Sequence, residues 1–204
     1  DDIDLAPTSV SVCNQINDSI KSKFYFRTLF DSGSTHCIIT RKSLPKDVTI
    51  QKLDHPLPMR TTQGAFNCTD FVYLNNVMFP ELSFSKKCKQ MKCLVIDPNM
   101  NYQLIVGRKY MKRIAMQMNF QTSTIQWFDK EMSFHDKHYF SNNQLLSKIL
   151  SNEPHSVAEA YANTFIDASS KYEVTDLKNL VSQQQHLTKA QQQDLLAILL
   201  NYPV

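Results

Sequence analysis

Glycine is scarce, with three in 204 residues: Gly33, Gly64 and Gly107. Each therefore marks a backbone position that a side chain cannot occupy. The five cysteines, at 13, 37, 68, 88 and 93, are odd in number, and no two are spaced Cys-x-x-Cys. That excludes a zinc-ribbon pattern and a fully paired disulfide framework, and it reads as scattered reduced thiols in an intracellular protein. No apolar run approaches the roughly 18 residues that span a bilayer. None of the six histidines is spaced His-x-x-x-His, so no metal site is expected. The net charge is only +3, with Lys and Arg scattered, which does not argue for direct nucleic-acid binding by this segment. Lys86-Lys87-Cys88-Lys89 reads as a solvated loop. The acidic start, Asp1-Asp2-Ile3-Asp4, is not a signal peptide, and without an initiator Met the sequence reads as part of a longer polypeptide.

What is present is mostly short strands. Residues 1–7 read as an extended leader. Thr8 to Gln15 alternates apolar and polar, and Lys23 to Phe30 is aromatic and β-branched. Cys37 to Thr40 and Val48 to Leu53 follow as strands, with one helical turn at Arg41 to Leu44 that Pro45 ends. Leu57 to Leu74 reads as a hairpin whose tip lies near Thr62-Gln63-Gly64. Short strands are expected at Val77–Phe79, Leu82–Phe84 and Cys93–Ile96. Leu104-Ile105-Val106-Gly107 is an apolar run ending in glycine, followed by a helix-compatible Arg108 to Ile114. Ala115 to Phe120 and Thr124 to Phe128 complete the β-rich part, and Trp127 is expected to be buried. Past residue 140 the composition shifts to Gln, Asn, Ser, Leu and Ala. Helical spacing recurs at Leu145–Leu150, Ser156–Ala168 and His186–Leu200, the last with Thr188 as N-cap and Gln191 at the capping-box position.

The chain is organised around Phe24 to Thr40. An apolar strand runs up to Asp31, turns on Ser32-Gly33-Ser34, and becomes apolar again. A carboxylate at the end of a buried strand is costly unless something hydrogen-bonds it or uses it. Asp-Ser-Gly, the hairpin at Gly64 and the Ile105-Val106-Gly107 unit together resemble the retropepsin-like aspartic proteases over about residues 8–134. Leu29 to Ile39 and Leu104 to Arg108 are similar to proteases of Ty3/gypsy-type LTR retrotransposon polyproteins. The tail, Val181-x-x-Gln184-Gln185-His186-Leu187-Thr188-x-x-Gln191-x-x-Asp194-Leu195-Leu196-x-x-Leu199, resembles the segment those polyproteins carry before the reverse transcriptase.

The resemblance implies an all-β fold: a closed retropepsin-like barrel with one short helix (residues 8–134), followed by a mostly helical connector (135–204). It implies an aspartic endopeptidase without cofactor or metal. With one Asp-[Ser/Thr]-Gly per chain, the second carboxylate must come from another copy, which makes a homodimer. Asp31 is then catalytic. Ser32, Gly33, Ser34 and Thr35 support its loop; Thr62, Gln63 and Gly64 form a flap over an extended substrate; Ile105, Val106, Gly107 and Arg108 buttress the loop. Thr35 stands where retroviral members place an acid, so Arg108 is expected to bond backbone carbonyls. Lys109 stands where the family often has Asp or Asn, which changes local dimer contacts. His36 reads as a polar loop residue near a substrate subsite, and Cys37 as a small buried apolar residue. The expected substrate is the protein's own polyprotein, cleaved in the cytoplasm within a virus-like particle, with no membrane partner. The alternatives are a catalytically silent retropepsin-fold module for dimerisation or binding, and a linker region supporting reverse transcriptase.

Overall fold

Strands account for most of the first 136 residues because β-branched and aromatic residues alternate with polar ones between turn-forming pairs. The structure, a computed structural model, describes residues 4–18, 20–61, 64–97, 100–136, 138–141, 144–151, 164–166, 181 and 188–201. The elements in chain order are β1 (Leu5–Ala6), β2 (Thr8–Ile16), β3 (Ile20–Asp31), β4 (Cys37–Thr40), β5 (Gln51–Thr61), β6 (Gly64–Phe79), β7 (Ser83–Ile96), β8 (Leu104–Gly107), α1 (Arg108–Arg113), β9 (Met116–Asn119), β10 (Thr124–Trp127), β11 (Lys130–Ser133), β12 (His135–Asp136), α2 (Leu145–Leu150), β13 (Thr164–Ile166) and α3 (Lys189–Asn201). Two compact units part at Ser169/Ser170, and α3 belongs to the second.

Six strands close on themselves. The order β7-β4-β8-β3-β2-β6 is completed by pairing of β6 with β7, which makes a small barrel of mixed strand direction. Closure removes the exposed edges that an open sheet leaves. β5 hangs from β6 as a hairpin, in register from Gln51↔Phe71 to Thr61↔Gly64. The expected short strands at 77–79, 82–84 and 93–96 are parts of two long ones, β6 and β7. Lys86 to Lys89 lies within β7 and not in a loop. The Lys86 side chain is only 18% exposed and reaches Asp129 at 3.1 Å.

The core is aromatic at its centre. Phe30, Phe79 and Trp127 are fully buried and stack in sequence, with ring centroids 5.2 Å and 5.5 Å apart. Each contributes about 2–3 kcal/mol of transfer free energy. The Trp127 indole N–H donates to the Ile114 carbonyl at 2.8 Å, tying β10 to the end of α1. Asn17, at φ 50° and buried, is a polar hub. Its amide donates to Thr49 O at 2.6 Å, and its side-chain oxygen accepts the Tyr73 N–H at 2.8 Å. All five cysteines are free and buried; burial pushes the Cys13 thiol up to about 11 and those of Cys37 and Cys88 to about 12.

The strands at the two ends of the barrel meet. β1 pairs with β12, Leu5 opposite Asp136 and Ala6 opposite His135. Glu81, in the β6–β7 turn, secures this corner. It accepts the Ser9 hydroxyl at 2.7 Å and the Tyr139 hydroxyl, and lies 3.0 Å from His135 Nε2. Glu81→Ala removes this partner from the buried Ser9 hydroxyl and from the half-buried His135 and Tyr139. It is expected to lower stability by about 2 kcal/mol, read as a shifted urea midpoint at unchanged slope. An unaltered midpoint would rule out this role for Glu81.

Beyond the barrel, α2 spans Leu145–Leu150 as its spacing predicts. Of the helix expected over Ser156–Ala168, residues 156–163, 167 and 168 lie outside the described residues. Thr164–Ile166 is a strand, parallel to β7 at Lys86–Cys88, because Thr, Phe and Ile suit a ladder better than a helix. α3 carries the capping box: the Gln191 N–H donates to the Thr188 hydroxyl at 3.3 Å, and the Thr188 N–H to Gln191 Oε1 at 2.9 Å. Among the described residues no helix is long and apolar enough to cross a membrane.

Candidate active site

Asp31 is the last residue of β3, the strand at the middle of the barrel. β2 flanks that strand on one side and β8 runs parallel on the other, placing Phe30 opposite Val106 and Asp31 opposite Gly107. The Phe30 side chain anchors the strand in the core, and its N–H donates to Pro7 O at 2.8 Å. The next residue emerges half-exposed. A carboxylate is thus carried to the barrel surface by a strand that cannot shift without moving the core.

The loop after Asp31 is fixed by short-range hydrogen bonds. Asp31 Oδ1 accepts the Gly33 N–H at 2.8 Å, and Asp31 O accepts the Ser34 N–H at 3.2 Å. Asp31 Oδ2 has no hydrogen-bond partner among the described residues. One oxygen is therefore held and the other is left available. A Cβ at position 33 would stand 3.1 Å from Oδ1, so a side chain there would crowd the carboxylate. The Ser34 hydroxyl donates to His36 O at 2.8 Å. Ser32 is exposed, and Thr35 is half-buried.

The second glycine-ended strand braces this loop from beneath. Ile105 and Val106 are buried in β8. A Cβ at Gly107 would lie 2.4 Å from His36 O and 2.6 Å from His36 C, so only glycine lets the two backbones touch. The Arg108 N–H then donates to Ser34 O at 2.8 Å. The backbone of Arg108, not its guanidinium, makes this contact. Its side chain is exposed and makes no hydrogen bond within the described residues, which differs from the expected side-chain bonds to carbonyls. Asp31, Ser32, Gly33, Ser34, Thr35, Gly107 and Arg108 therefore meet in one place. Gly64 begins β6 at the far end of the β5 hairpin, with φ +127°, and an added Cβ there would meet nothing within 4 Å. Thr62 and Gln63 lie outside the described residues.

Beside the loop is a cavity of about 480 Å³. Thr35, His36 and Cys37 form one wall. The root of the β5 hairpin and α1 form the others, through Leu53, Leu57, Lys109 and Arg113. The His36 imidazole is held below its usual pKa by burial first, then by Lys109 and Lys92. Cys37, fully buried with its thiol at about 12, is not a nucleophile. Among the described residues no three His, Cys, Asp or Glu side chains cluster to hold a metal. Lys109 and His36 were singled out from the sequence one by one, but their meeting with Lys92 and Arg113 was not, because β7 and α1 are separate elements of the chain.

A closed barrel, a strand-end Asp in an Asx-turned loop, and a glycine-ended parallel strand clamping that loop define a retropepsin-like fold. The chain belongs to the retroviral aspartyl protease family, whose model matches residues 8–119. Among solved structures it is similar to the retroviral protease-like domain of Ddi1 from Leishmania major, at 15% sequence identity and a TM-score of 0.40, covering 65% of this chain and 97% of that one. No curated protein matches the chain.

Proposed function

We propose that the protein is an aspartic endopeptidase, active as a homodimer with one Asp31 per chain, that cleaves the Ty3/gypsy-type retrotransposon polyprotein containing it. The observation that carries this reading is Asp31 itself: Oδ1 fixed by the Gly33 N–H, Oδ2 without a partner among the described residues, on a loop braced by Gly107.

Peptide hydrolysis without a metal needs a base for water and an acid for the leaving amine. Two Asp31 carboxyls facing each other across a two-fold axis supply both. In aspartic proteases generally, like charges about 3 Å apart cannot both ionise, so the pair shares one proton and titrates as a unit. The ionised carboxylate takes a proton from water, and the water oxygen bonds to the scissile carbonyl carbon. The protonated partner hydrogen-bonds the carbonyl oxygen. Collapse of the tetrahedral intermediate breaks the C–N bond as a carboxyl protonates the nitrogen. Ser32 bonds across the axis and stiffens both loops, and the hairpin ending at Gly64 closes over an extended substrate. Residues 135–204 link this unit to a downstream reverse transcriptase.

The test is cleavage of peptides spanning the polyprotein across a dilution series, with pepstatin as inhibitor. Below the dimer dissociation constant the rate should rise with the square of protein concentration. A pepstatin-insensitive activity would sink the aspartic mechanism. First-order dependence on protein, from a species that sediments as a monomer, would sink the shared site. A dimer without cleavage would establish the silent module instead.

A further inference from the structure

The cavity beside Asp31 has a chemical character that the catalytic reading does not use. Its floor is apolar, with Cys37, Leu94 and Tyr110 buried and Leu53 and Leu57 half-buried. Its rim carries Lys92 from β7, Lys109 and Arg113 from α1, and the imidazoles of His36 and His55. Among the described residues no Asp or Glu lines it. Lys92, Lys109 and Arg113 are exposed, and none of them has a carboxylate partner among the described residues. Lys92 Nζ rests 3.9 Å from the Phe71 ring centroid. The positive field is felt inside: burial first, then Lys109 and Lys92, hold the His36 imidazole below its usual pKa.

The position is equally informative. Thr35 and His36 follow Asp31 by four and five residues in the same braced loop, while Leu53 and Leu57 lie on the strand that ends at the hairpin tip. On the protease reading, a peptide held between Asp31 and the hairpin would pass this cavity. We infer that the cavity formed by Thr35–Cys37, Leu53, Leu57 and α1 is a substrate subsite that selects an acidic side chain, Asp or Glu, a few residues from the scissile bond. This rests on the protease reading for its purpose but not for its chemistry. The cavity lies within one chain and does not need the second Asp31.

The test uses the full chain carrying Asp31→Asn, so that nothing is cut. Two fluorescein-labelled pools of degenerate nonapeptides are compared, identical except that one has Glu and the other Gln at a single fixed position. The Glu pool should bind about fivefold more tightly in 50 mM NaCl, and the preference should shrink by 500 mM. The double variant Lys109→Gln/Arg113→Gln should abolish the preference, whereas Lys46→Gln, an exposed lysine elsewhere, should leave it intact. Circular dichroism checks that each variant is folded, and the charge-conserving double variant Lys109→Arg/Arg113→Lys should keep the preference. Equal affinity for both pools at low salt overturns the inference, as does a preference that survives the double variant. So does a single-stranded oligonucleotide that binds with the same variant dependence while the peptide pools do not differ. Failure of the wild-type chain to cleave any peptide overturns the protease reading alone, because this binding measurement stands without it.

Discussion

Asp31→Asn is expected to abolish peptide cleavage, with a loss of about 10³-fold or more, while leaving the fold intact. Asn retains an oxygen that accepts the Gly33 N–H at 2.8 Å, so the turn survives. It cannot take a proton from water, and it cannot share one with its counterpart. The thermal midpoint should therefore stay within about 2 °C, since a half-exposed strand-end substitution that keeps its hydrogen bond changes stability little. Mixing makes the test sharper. With one wild-type subunit in ten and free exchange, about one dimer in a hundred is fully wild-type, and activity per wild-type subunit should fall about tenfold. If the mutant cleaves at the wild-type rate, Asp31 is not catalytic. If mutant subunits dilute the activity without suppressing it, each chain works alone.

The second large effect belongs to a residue with no side chain. Gly107→Ala should cost about 3 kcal/mol and most of the activity together. The added methyl would stand 2.4 Å from His36 O, 2.6 Å from His36 C and 2.9 Å from His36 N. All three are backbone atoms, so no rotamer change relieves the clash. β8 cannot retreat, because Leu104 and Val106 are fully buried. The loop bearing Asp31 must move instead, and with it the Arg108 N–H bond to Ser34 O. Chemical denaturation measures the first loss and peptide cleavage the second. A stable, fully active Gly107→Ala protein would show that the brace is not needed.

The Asp31 loop and its glycine brace were legible in the sequence because their geometry is local. Asp31, Gly33 and Gly107 announce themselves where side chains are excluded or a carboxylate stands at a strand end. The hairpin was legible for the same reason, with Gly64 at φ +127°. The length of β6 and β7 was not. β6 pairs with β2, β5 and β7 along its course, and Asn76 bends it at φ 55°. A strand that changes partners also changes which residues face the core, so no single alternation runs its length. The charge of the cavity was illegible for a different reason. Lys92, Lys109 and Arg113 are scattered basic residues until the barrel closes and brings β7 and α1 together around His36.

The β1–β12 ribbon gives the barrel a mechanical property. Leu5 and Asp136 stand opposite each other. Once β13 has parted from β7 and Tyr139 from Glu81, a pull on the two flanks loads the ribbon at one end and peels it pair by pair, instead of shearing many hydrogen bonds at once. Tension transmitted along a longer polypeptide would unzip Leu5–Ala6 from His135–Asp136 before it strained the strand that carries Asp31. The ribbon acts as a fuse, so the barrel would keep its shape under such a load until the fuse opens.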